Sequence, residues 1–224
     1  MPAGTEWYPD AATFTTPGRL QLAASTRRLV DALLTLPAED AQLELIAQQL
    51  DAMLAALHER ATTRGAGTPP RRERANHGDF LPRSPLVGEV NAVAPPFDWE
   101  LVDETLRSTG RFTACHEGPP GYVHGGWVAL AFDEALGITN VATGHPGMTA
   151  RLTIRYRKPT PLGVDLVIES HIDKIEGRRV QTVGRMLHGE TVTAEAEGVF
   201  VNIGAERALE YFGERTGEPV DPLP

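Results

Sequence analysis

The stretch GYVHGGWVALAFDEALG, residues 121–137, contains residue types that could attack a carbonyl group. Two glycines follow His124 and open an apolar run that carries two carboxylates, Asp133 and Glu134. Glycines at a helix start leave backbone N–H groups open at the positive end of the helix dipole, where they can hold an oxyanion. A carboxylate can act as a nucleophile or a general base. Taken alone, this stretch is equally consistent with catalysis and with a purely structural role, in which Gly-Gly is only a turn and the aspartate only accepts a hydrogen bond.

The order of residues within this stretch selects Asp133 as the candidate acid. On a helix of 3.6 residues per turn, one stripe consists of Asp133 and the smallest residues: Gly126, Ala129 and Gly137. Glu134 lies beside this stripe with Trp127 and Leu130, and the opposite side is core-facing: Val128, Ala131, Phe132 and Ala135. A charge on a small-residue face needs a partner or a function.

The distance along the helix predicts a dimer. Gly125 and Asp133 are eight residues apart, which corresponds to about 12 Å at 1.5 Å per residue. Both groups cannot reach one carbonyl within a single chain. Two copies of the helix that run antiparallel across a two-fold axis would bring them together, and the small residues permit that close contact.

Strands must position this helix, and the sequence indicates four long strands that follow it. MTARLTIRYRKP alternates, with one apolar face (Ala150, Leu152, Ile154, Tyr156) and one polar face (Arg151, Thr153, Arg155, Arg157). Segments 164–175, 178–187 and 191–203 follow, joined by turns at Glu176-Gly177 and His188-Gly189. Short strands are predicted at 87–93 and 110–117, and the helix at about 126–138. This order predicts an α+β fold with an antiparallel sheet wrapped around one central helix.

The N-terminal region has a different period. Leucines at three- and four-residue spacing over residues 18–63 predict two helices that form a hairpin around Pro37, with Asp40 as a cap. A Gly-, Pro- and Arg-rich linker follows. We therefore predict a helical extension and linker at 1–79, a main domain at 80–205 and a tail at 206–224. Three roles for this hairpin stay open: covering the sheet, swapping between protomers or capping a pocket.

Composition limits the functional classes. The 224 residues carry a net charge of -9, which argues against a nucleic acid or an anionic membrane as the main partner. A single cysteine, Cys115, permits no internal disulfide, and no apolar run or signal layout indicates a membrane span or export, so we expect a cytoplasmic protein. His116, His171 and His188 lack metal-ligand spacing and are predicted at the surface or in turns, and no metal site is expected.

GYVHGGWVALAFDEALG followed by MTARLTIRYRKPTPLG resembles the hotdog-fold thioesterase superfamily, in its phenylacetic-acid-degradation (PaaI-type) and THEM-type branch. The resemblance covers residues 84–203 and leaves out the helical extension. It implies a hotdog fold and hydrolysis of an acyl-CoA thioester to a free acid and coenzyme A. It also implies a homodimer or homotetramer with sites at the dimer interface, and no required cofactor.

The same resemblance implies roles for individual residues. Asp133 matches the acid that attacks the thioester or activates water, and Thr149 matches a residue that helps to place this water. Gly125 and Gly126 match the backbone N–H donors to the thioester oxygen, and His124 matches the motif histidine that contacts this oxygen or shapes the turn. The strand residues Arg151, Arg155, Arg157 and Lys158 either meet the phosphates of coenzyme A or form a solvated face. Gly118 stands where some relatives have an Asn or Gln that orients the attacking group.

Two other functions stay open from the sequence. A hydratase or dehydratase of acyl thioesters uses the same fold, but it depends on a catalytic His in a different arrangement. A non-catalytic acyl-CoA sensor would use the helical extension as its output. Trp127 and Phe132 hint at an aromatic or medium-chain acyl group, and the sequence does not select between them.

Overall fold

The computed structural model describes residues 16–37, 39–63, 84–95 and 97–203. Three helices are present in these ranges: α1 (Pro17–Thr35), α2 (Asp40–Thr63) and α3 (Gly125–Ala142). The strands are β1 (Asp98–Val102), β2 (Thr105–Gly110), β3 (Met148–Tyr156), β4 (Leu166–Glu176), β5 (Arg179–His188) and β6 (Thr191–Val201). A short 3-10 helix spans Ala114–His116. The predicted α+β class is confirmed.

The six strands form one antiparallel sheet in the order β1-β2-β4-β5-β6-β3, so β3 is an edge strand. Side chains alternate between the two faces, and α3 packs on the face that carries the apolar residues. This core includes large side chains that are fully buried: Phe112, Phe132, Leu136, Ile168, Met186 and Phe200. The sheet therefore wraps around one central helix, as predicted.

Two glycines set how closely α3 approaches the sheet. A Cβ atom at Gly184 would lie 3.1 Å from Leu136 Cδ2, and one at Gly198 would lie 3.0 Å from Leu136 Cδ1. Both distances are shorter than ordinary van der Waals contact between carbon atoms. Leu136 thus occupies the space beside Gly184 on β5 and Gly198 on β6, where a larger residue would clash. This contact fixes the distance between α3 and the sheet.

The predicted strand at 110–117 is wrong, and the β1–β2 hairpin before it is not among the predicted elements. Only Gly110 of that segment belongs to a strand, and Ala114–His116 is a 3-10 helix. The hairpin turns at Asp103 and Glu104, which have φ angles of 47° and 62°. Left-handed conformations at both central positions suit a two-residue hairpin turn, but the usual Asn-Gly or Asp-Gly signal is missing.

The predicted strand at 87–93 is also wrong, because side chains capture the backbone of this segment. The hydroxyl oxygen of Ser84 accepts the N–H groups of Leu86 and Val87, each at 3.1 Å. Asn91 Oδ1 accepts the N–H of Val93 at 3.0 Å. Such local bonds compete with sheet pairing and produce turns. We call residues 84–95 the Ser84 loop.

The two N-terminal helices are confirmed, and α3 extends beyond the predicted 126–138. The guanidinium of Arg27 on α1 donates to backbone carbonyls of the Ser84 loop, at Gly88, Glu89 and Asn91. Helix α2 leaves most of its apolar side chains exposed. The predicted linker beyond residue 63, the predicted tail at 206–224 and both predicted domain boundaries lie outside the described residues. No helix in the described ranges is long and apolar enough to cross a membrane.

Candidate active site

The N-terminus of α3 is shaped by His124, which caps the helix. Its ring nitrogen Nδ1 accepts the N–H of Gly126 at 3.0 Å, and its carbonyl oxygen accepts the N–H of Trp127 at 2.9 Å. The N–H of Gly125 has no acceptor among the described residues. One backbone donor of the His-Gly-Gly turn is therefore open, and it lies where the helix dipole is positive.

Two neighbouring groups hold this turn in place. The hydroxyl of Tyr156 on β3 donates to the carbonyl oxygen of Gly125 at 2.9 Å. The carbonyl oxygen of His116 accepts the N–H of His124 at 2.9 Å. The alternation along β3 predicts the face on which Tyr156 lies, but it does not predict this contact with the turn. Fixed on both sides, the Gly125 N–H keeps one orientation.

Asp133 lies exposed on the stripe that the sequence predicts. On the same stripe, Gly126 is exposed, and Ala129 and Gly137 are half-buried. The hydroxyl of Thr149 donates to Asp133 Oδ1 at 2.8 Å. The acid and the threonine named in the sequence analysis are thus in direct contact.

A β-bulge on β3 makes this contact possible. Opposite β6, the register shifts between Thr149, which pairs with Phe200, and Arg151, which pairs with Val199. Strict alternation would give Thr149 the same face as Arg151, away from α3. The extra residue, Ala150, turns Thr149 to the helix side instead, as bulges beside functional sites often do. The predicted grouping of Ala150 with Leu152 is therefore wrong, since Ala150 lies with Arg151 on the outer face.

One chain does not bring all the predicted site residues together. Asp133 and Thr149 form one group, and His124, Gly125 and Tyr156 form another. The continuous helix between Gly125 and Asp133 separates the two groups by about 12 Å along its axis. The described residues of one chain thus hold two separate candidate half-sites, one at the N-terminus of α3 and one around Asp133.

Glu134 differs from its neighbour Asp133 because it is half-buried against the Ser84 loop. Ser84 forms a side-chain hydrogen bond to it, whereas Oε1 is buried and has no partner among the described residues. Burial raises the pKa of the Glu134 carboxyl; the Ser84 bond lowers this pKa, and the charge of Asp133 raises it further. Glu134 therefore favours its neutral form more strongly than a carboxyl in water does.

His116 is a core residue, which corrects the predicted surface or turn position; His171 and His188 are exposed. The Nδ1 atom of His116 accepts the N–H of Thr113 at 3.0 Å. Its Nε2 therefore carries the proton and donates to the carbonyl of Val93 at 2.9 Å. The Trp127 ring packs edge-on at 4.6 Å between centroids. Burial lowers the pKa of His116. With both nitrogens engaged, this histidine is a structural link between the Ser84 loop and the His-Gly-Gly turn.

The basic residues of β3 lie on the sheet face away from α3. Arg151 pairs with Glu197 at 3.3 Å, and Arg157 pairs with Glu195 at 2.6 Å. Arg155 lines a groove of about 770 Å³ on the same face, together with acidic side chains from β4 and β6. Lys158 is exposed and follows the strand, two residues after Tyr156. In the described ranges, no group of three or more His, Cys, Asp or Glu side chains could hold a metal ion.

Comparisons with known proteins point to one family. The thioesterase superfamily model matches residues 120–197. Acyl-coenzyme A thioesterase THEM4 of Xenopus laevis is 39% identical over 89 residues, which is 39% of this chain and 40% of that protein. THEM5 of Homo sapiens is 33% identical over 92 residues, 40% and 37% of the two chains. The chain thus spans about two fifths of the length of these curated relatives.

A solved structure is similar over most of the chain. The crystal structure of a thioesterase superfamily protein is 34% identical, with a TM-score of 0.74. The match covers 87% of this chain and 93% of that one, so it includes far more than the region of the family model.

Proposed function

Because this chain belongs to the thioesterase superfamily and has the hotdog fold, we propose that it hydrolyses an acyl-CoA thioester to a free acid and coenzyme A. The observation that carries the proposal is the 2.8 Å hydrogen bond from Thr149 to Asp133 on an exposed face of small residues. Thr149 fixes one carboxylate oxygen and leaves Oδ2 without a partner among the described residues. A carboxylate held in this way can act on a carbonyl that approaches the same face.

Asp133 acts in one of two ways. As a general base it takes a proton from a water molecule while the water oxygen bonds to the thioester carbon. As a nucleophile it bonds to that carbon itself and forms a mixed anhydride, which water then hydrolyses. In both routes the carbon–sulfur bond breaks, and the thiolate of coenzyme A leaves and takes up a proton.

The N–H of Gly125 is the proposed donor to the oxyanion that develops on the thioester oxygen. It is unpaired among the described residues and lies at the positive end of α3. The N–H of Gly126 already donates to His124 in this structure, so it contributes through the helix dipole unless the His124 ring turns away. His124 therefore serves to shape the turn.

The two half-sites imply a shared site. If two copies of α3 run antiparallel across a two-fold axis, Asp133 of one copy faces Gly125 of the other. The exposed Gly126 and the half-buried Ala129 leave room for this approach. The edge strand β3 also offers unpaired backbone groups for pairing with a second copy. We therefore propose a homodimer as the active unit, alone or within a homotetramer.

The phosphates of coenzyme A need cationic partners outside the acyl site. Lys158 is the best candidate, because it follows Tyr156, which contacts the oxyanion turn. Arg155 and Arg157 are weaker candidates, since they share the outer sheet face with the carboxylates of β6.

Thiol release from a panel of short, medium, long and aromatic acyl-CoAs tests the function. We expect turnover by the wild-type protein and a loss of roughly 10²- to 10⁴-fold in Asp133→Asn, the usual value of a catalytic acid or base. Glu134→Gln is the matched control, because it changes the adjacent carboxyl off the exposed face. Binding of acyl-CoA without thiol release by the wild type would contradict the enzyme and support a non-catalytic sensor.

A further inference from the structure

Two polar side chains on helix α1 contact the segments that precede α3. Arg27 and Asp31 are four residues apart, so they lie on the same side of α1, together with Ala23, which is buried. By contrast, the side chains of Leu22 and Leu33 are 57% and 63% exposed. Polar groups, rather than these leucines, attach α1 to the segments before α3.

Arg27 holds the Ser84 loop through three backbone carbonyl groups. Its Nη2 atom donates to the carbonyl oxygens of Gly88, Glu89 and Asn91, with distances of 3.4 Å to Gly88 and 3.2 Å to Asn91. The Nε atom of Arg27 is buried and has no hydrogen-bond partner in the described ranges. Hydrogen bonds from a charged donor are about twice as strong as neutral ones. The three carbonyl groups converge on one nitrogen only when the loop folds back on itself, so Arg27 favours this one conformation of the loop.

Asp31 contacts the 3-10 helix that lies next to the same loop. Its Oδ1 atom accepts the N–H of Ala114, the first residue of that helix, at 3.4 Å. A cleft of about 260 Å³ lies beside this contact, and Arg27, Val93 and Cys115 are among the residues that line it. Packing is therefore incomplete where α1 meets the loop and the 3-10 helix. The positions of these two segments depend on the hydrogen bonds from α1.

A series of hydrogen bonds leads from the Ser84 loop to the His-Gly-Gly turn. The side-chain oxygen of Asn91 accepts the N–H of Val93 at 3.0 Å, and the carbonyl oxygen of Val93 accepts from Nε2 of His116 at 2.9 Å. The carbonyl oxygen of His116 accepts the N–H of His124 at 2.9 Å. Because each bond joins one segment to the next, we expect a displacement of the loop carbonyls that Arg27 holds to reach the cap of α3.

We propose that Arg27 is a positioning residue for the His-Gly-Gly turn and thereby fixes the direction of the Gly125 N–H. The catalytic part of this inference rests on the proposed function, in which that N–H donates to the oxyanion. The half-site at Asp133 is held separately by Thr149. Since His116 is a buried member of the series, its substitution also changes stability. Arg27 stands at the outer end of the series and tests the positioning with less effect on the core.

Hydrogen exchange tests the contact without reference to activity. In the full chain, Arg27→Gln is compared with the wild type and with Arg28→Gln, and exchange is followed by mass spectrometry of peptides. Arg28 is the matched control, because it carries the same charge but donates to Ser25 within α1, at 2.9 Å. In Arg27→Gln, the amides of residues 116–127 are expected to exchange roughly tenfold faster, whereas Arg28→Gln behaves as the wild type.

Peptides from β4 and β5, residues 166–187, provide the internal reference and should exchange equally in all three proteins. If they exchange faster in Arg27→Gln, the whole fold is weakened, and Asp31→Ala decides by the same criterion, since it removes only the bond to Ala114. Equal exchange of residues 116–127 in the Arg27→Gln and Arg28→Gln proteins would overturn the proposal.

Steady-state thiol release from an acyl-CoA tests the catalytic part. In Arg27→Gln, kcat is expected to fall roughly five- to tenfold with KM unchanged, less than the loss of about 100-fold that a misplacement of about 1 Å can cause. A rise in KM at constant kcat, or an unchanged kcat despite faster exchange, would overturn this part. No thiol release by the wild type, together with faster exchange in Arg27→Gln, would contradict the proposed function and still support the contact.

Discussion

Helix α3 separates two sets of ionisable groups whose surroundings differ sharply. On its outer face, Asp133 is exposed and accepts one hydrogen bond from Thr149. On the flank that meets the Ser84 loop, Glu134 has a buried oxygen without a partner in the described ranges, and His116 is almost completely buried. Glu134 and Asp133 are adjacent in sequence, so the difference comes from the helix position alone.

The exposed carboxylate is suited to reactivity, whereas the buried groups affect stability. The exposed carboxylate of Asp133 can reach a substrate, and its partner Thr149 orients it at little cost to folding. A buried carboxylate or imidazole loses hydration, so the folded state favours its neutral form. We therefore expect substitutions on the exposed face of α3 to alter turnover. Substitutions on the flank that meets the Ser84 loop should alter the free energy of unfolding.

Among the residues that position Asp133 and Gly125, the largest expected effect is that of Thr149→Val, which removes the hydroxyl but keeps the shape. A hydrogen bond to a charged group contributes about 1.5–3 kcal/mol, so kcat is expected to fall about 10- to 100-fold. The thermal midpoint should change little, because the site is exposed. Thr153→Val is the matched control, since Thr153 lies on the same strand and faces the outer groove. Equal losses in both variants would remove Thr149 from the site.

Tyr156→Phe tests the second half-site. Without the hydroxyl, the carbonyl of Gly125 loses its 2.9 Å donor and the N–H of Gly125 loses its fixed direction. A neutral hydrogen bond contributes about 1 kcal/mol, so we expect kcat to fall roughly five- to tenfold with KM unchanged. Steady-state kinetics of Tyr156→Phe measure this loss, with Tyr122→Phe as the control that removes the hydroxyl of another exposed tyrosine. A rise in KM at constant kcat would show that Tyr156 binds substrate rather than positioning the oxyanion donor.

On the Ser84-loop flank, Glu134→Gln is expected to change stability rather than turnover. Since burial raises the pKa of Glu134, the folded state binds more protons than the unfolded state above the ordinary carboxyl pKa, and stability falls as the pH rises. The variant lacks this dependence. Between pH 4.5 and pH 7.5, the free energy of unfolding of the variant should rise by about 1 kcal/mol relative to that of the wild type, which is the scale of one unsatisfied buried group. Urea unfolding at several pH values measures this difference. A constant difference across this range would show that the carboxyl is solvated.

The elements that carry this comparison were largely predictable from the sequence. Helix α3 and strands β3–β6 follow from strong periodicity and from glycines at the turns, Gly177 and Gly189, which both have positive φ. The stripe around Asp133 also follows, because helix geometry depends only on residue spacing. The β1–β2 hairpin did not, since Asp103-Glu104 is a weak turn signal.

The details of the two half-sites depend on contacts distant in sequence. The bulge at Ala150 is a property of the pairing between β3 and β6, so alternation within β3 gives Thr149 the wrong face. Burial of His116 and Glu134 results from the Ser84 loop, whose turns replace the strand that the pattern VGEVNAV predicted. Local periodicity contains no information about which loop will cover which side of a helix.

The smallest expected effect concerns His116 and tests the same flank at the other end of the loop. Burial lowers the pKa of His116, so the unfolded state binds its proton first as the pH falls below about 6.5, and stability is lost. Between pH 7.5 and pH 5.5 the wild type should lose roughly 0.5–1 kcal/mol more than His116→Gln. His188→Gln, at an exposed position, should retain the full wild-type slope. If His116→Gln also retains it, the imidazole does not couple the Ser84 loop to folding, and the division between a reactive outer face and a structural flank is lost at this end of α3.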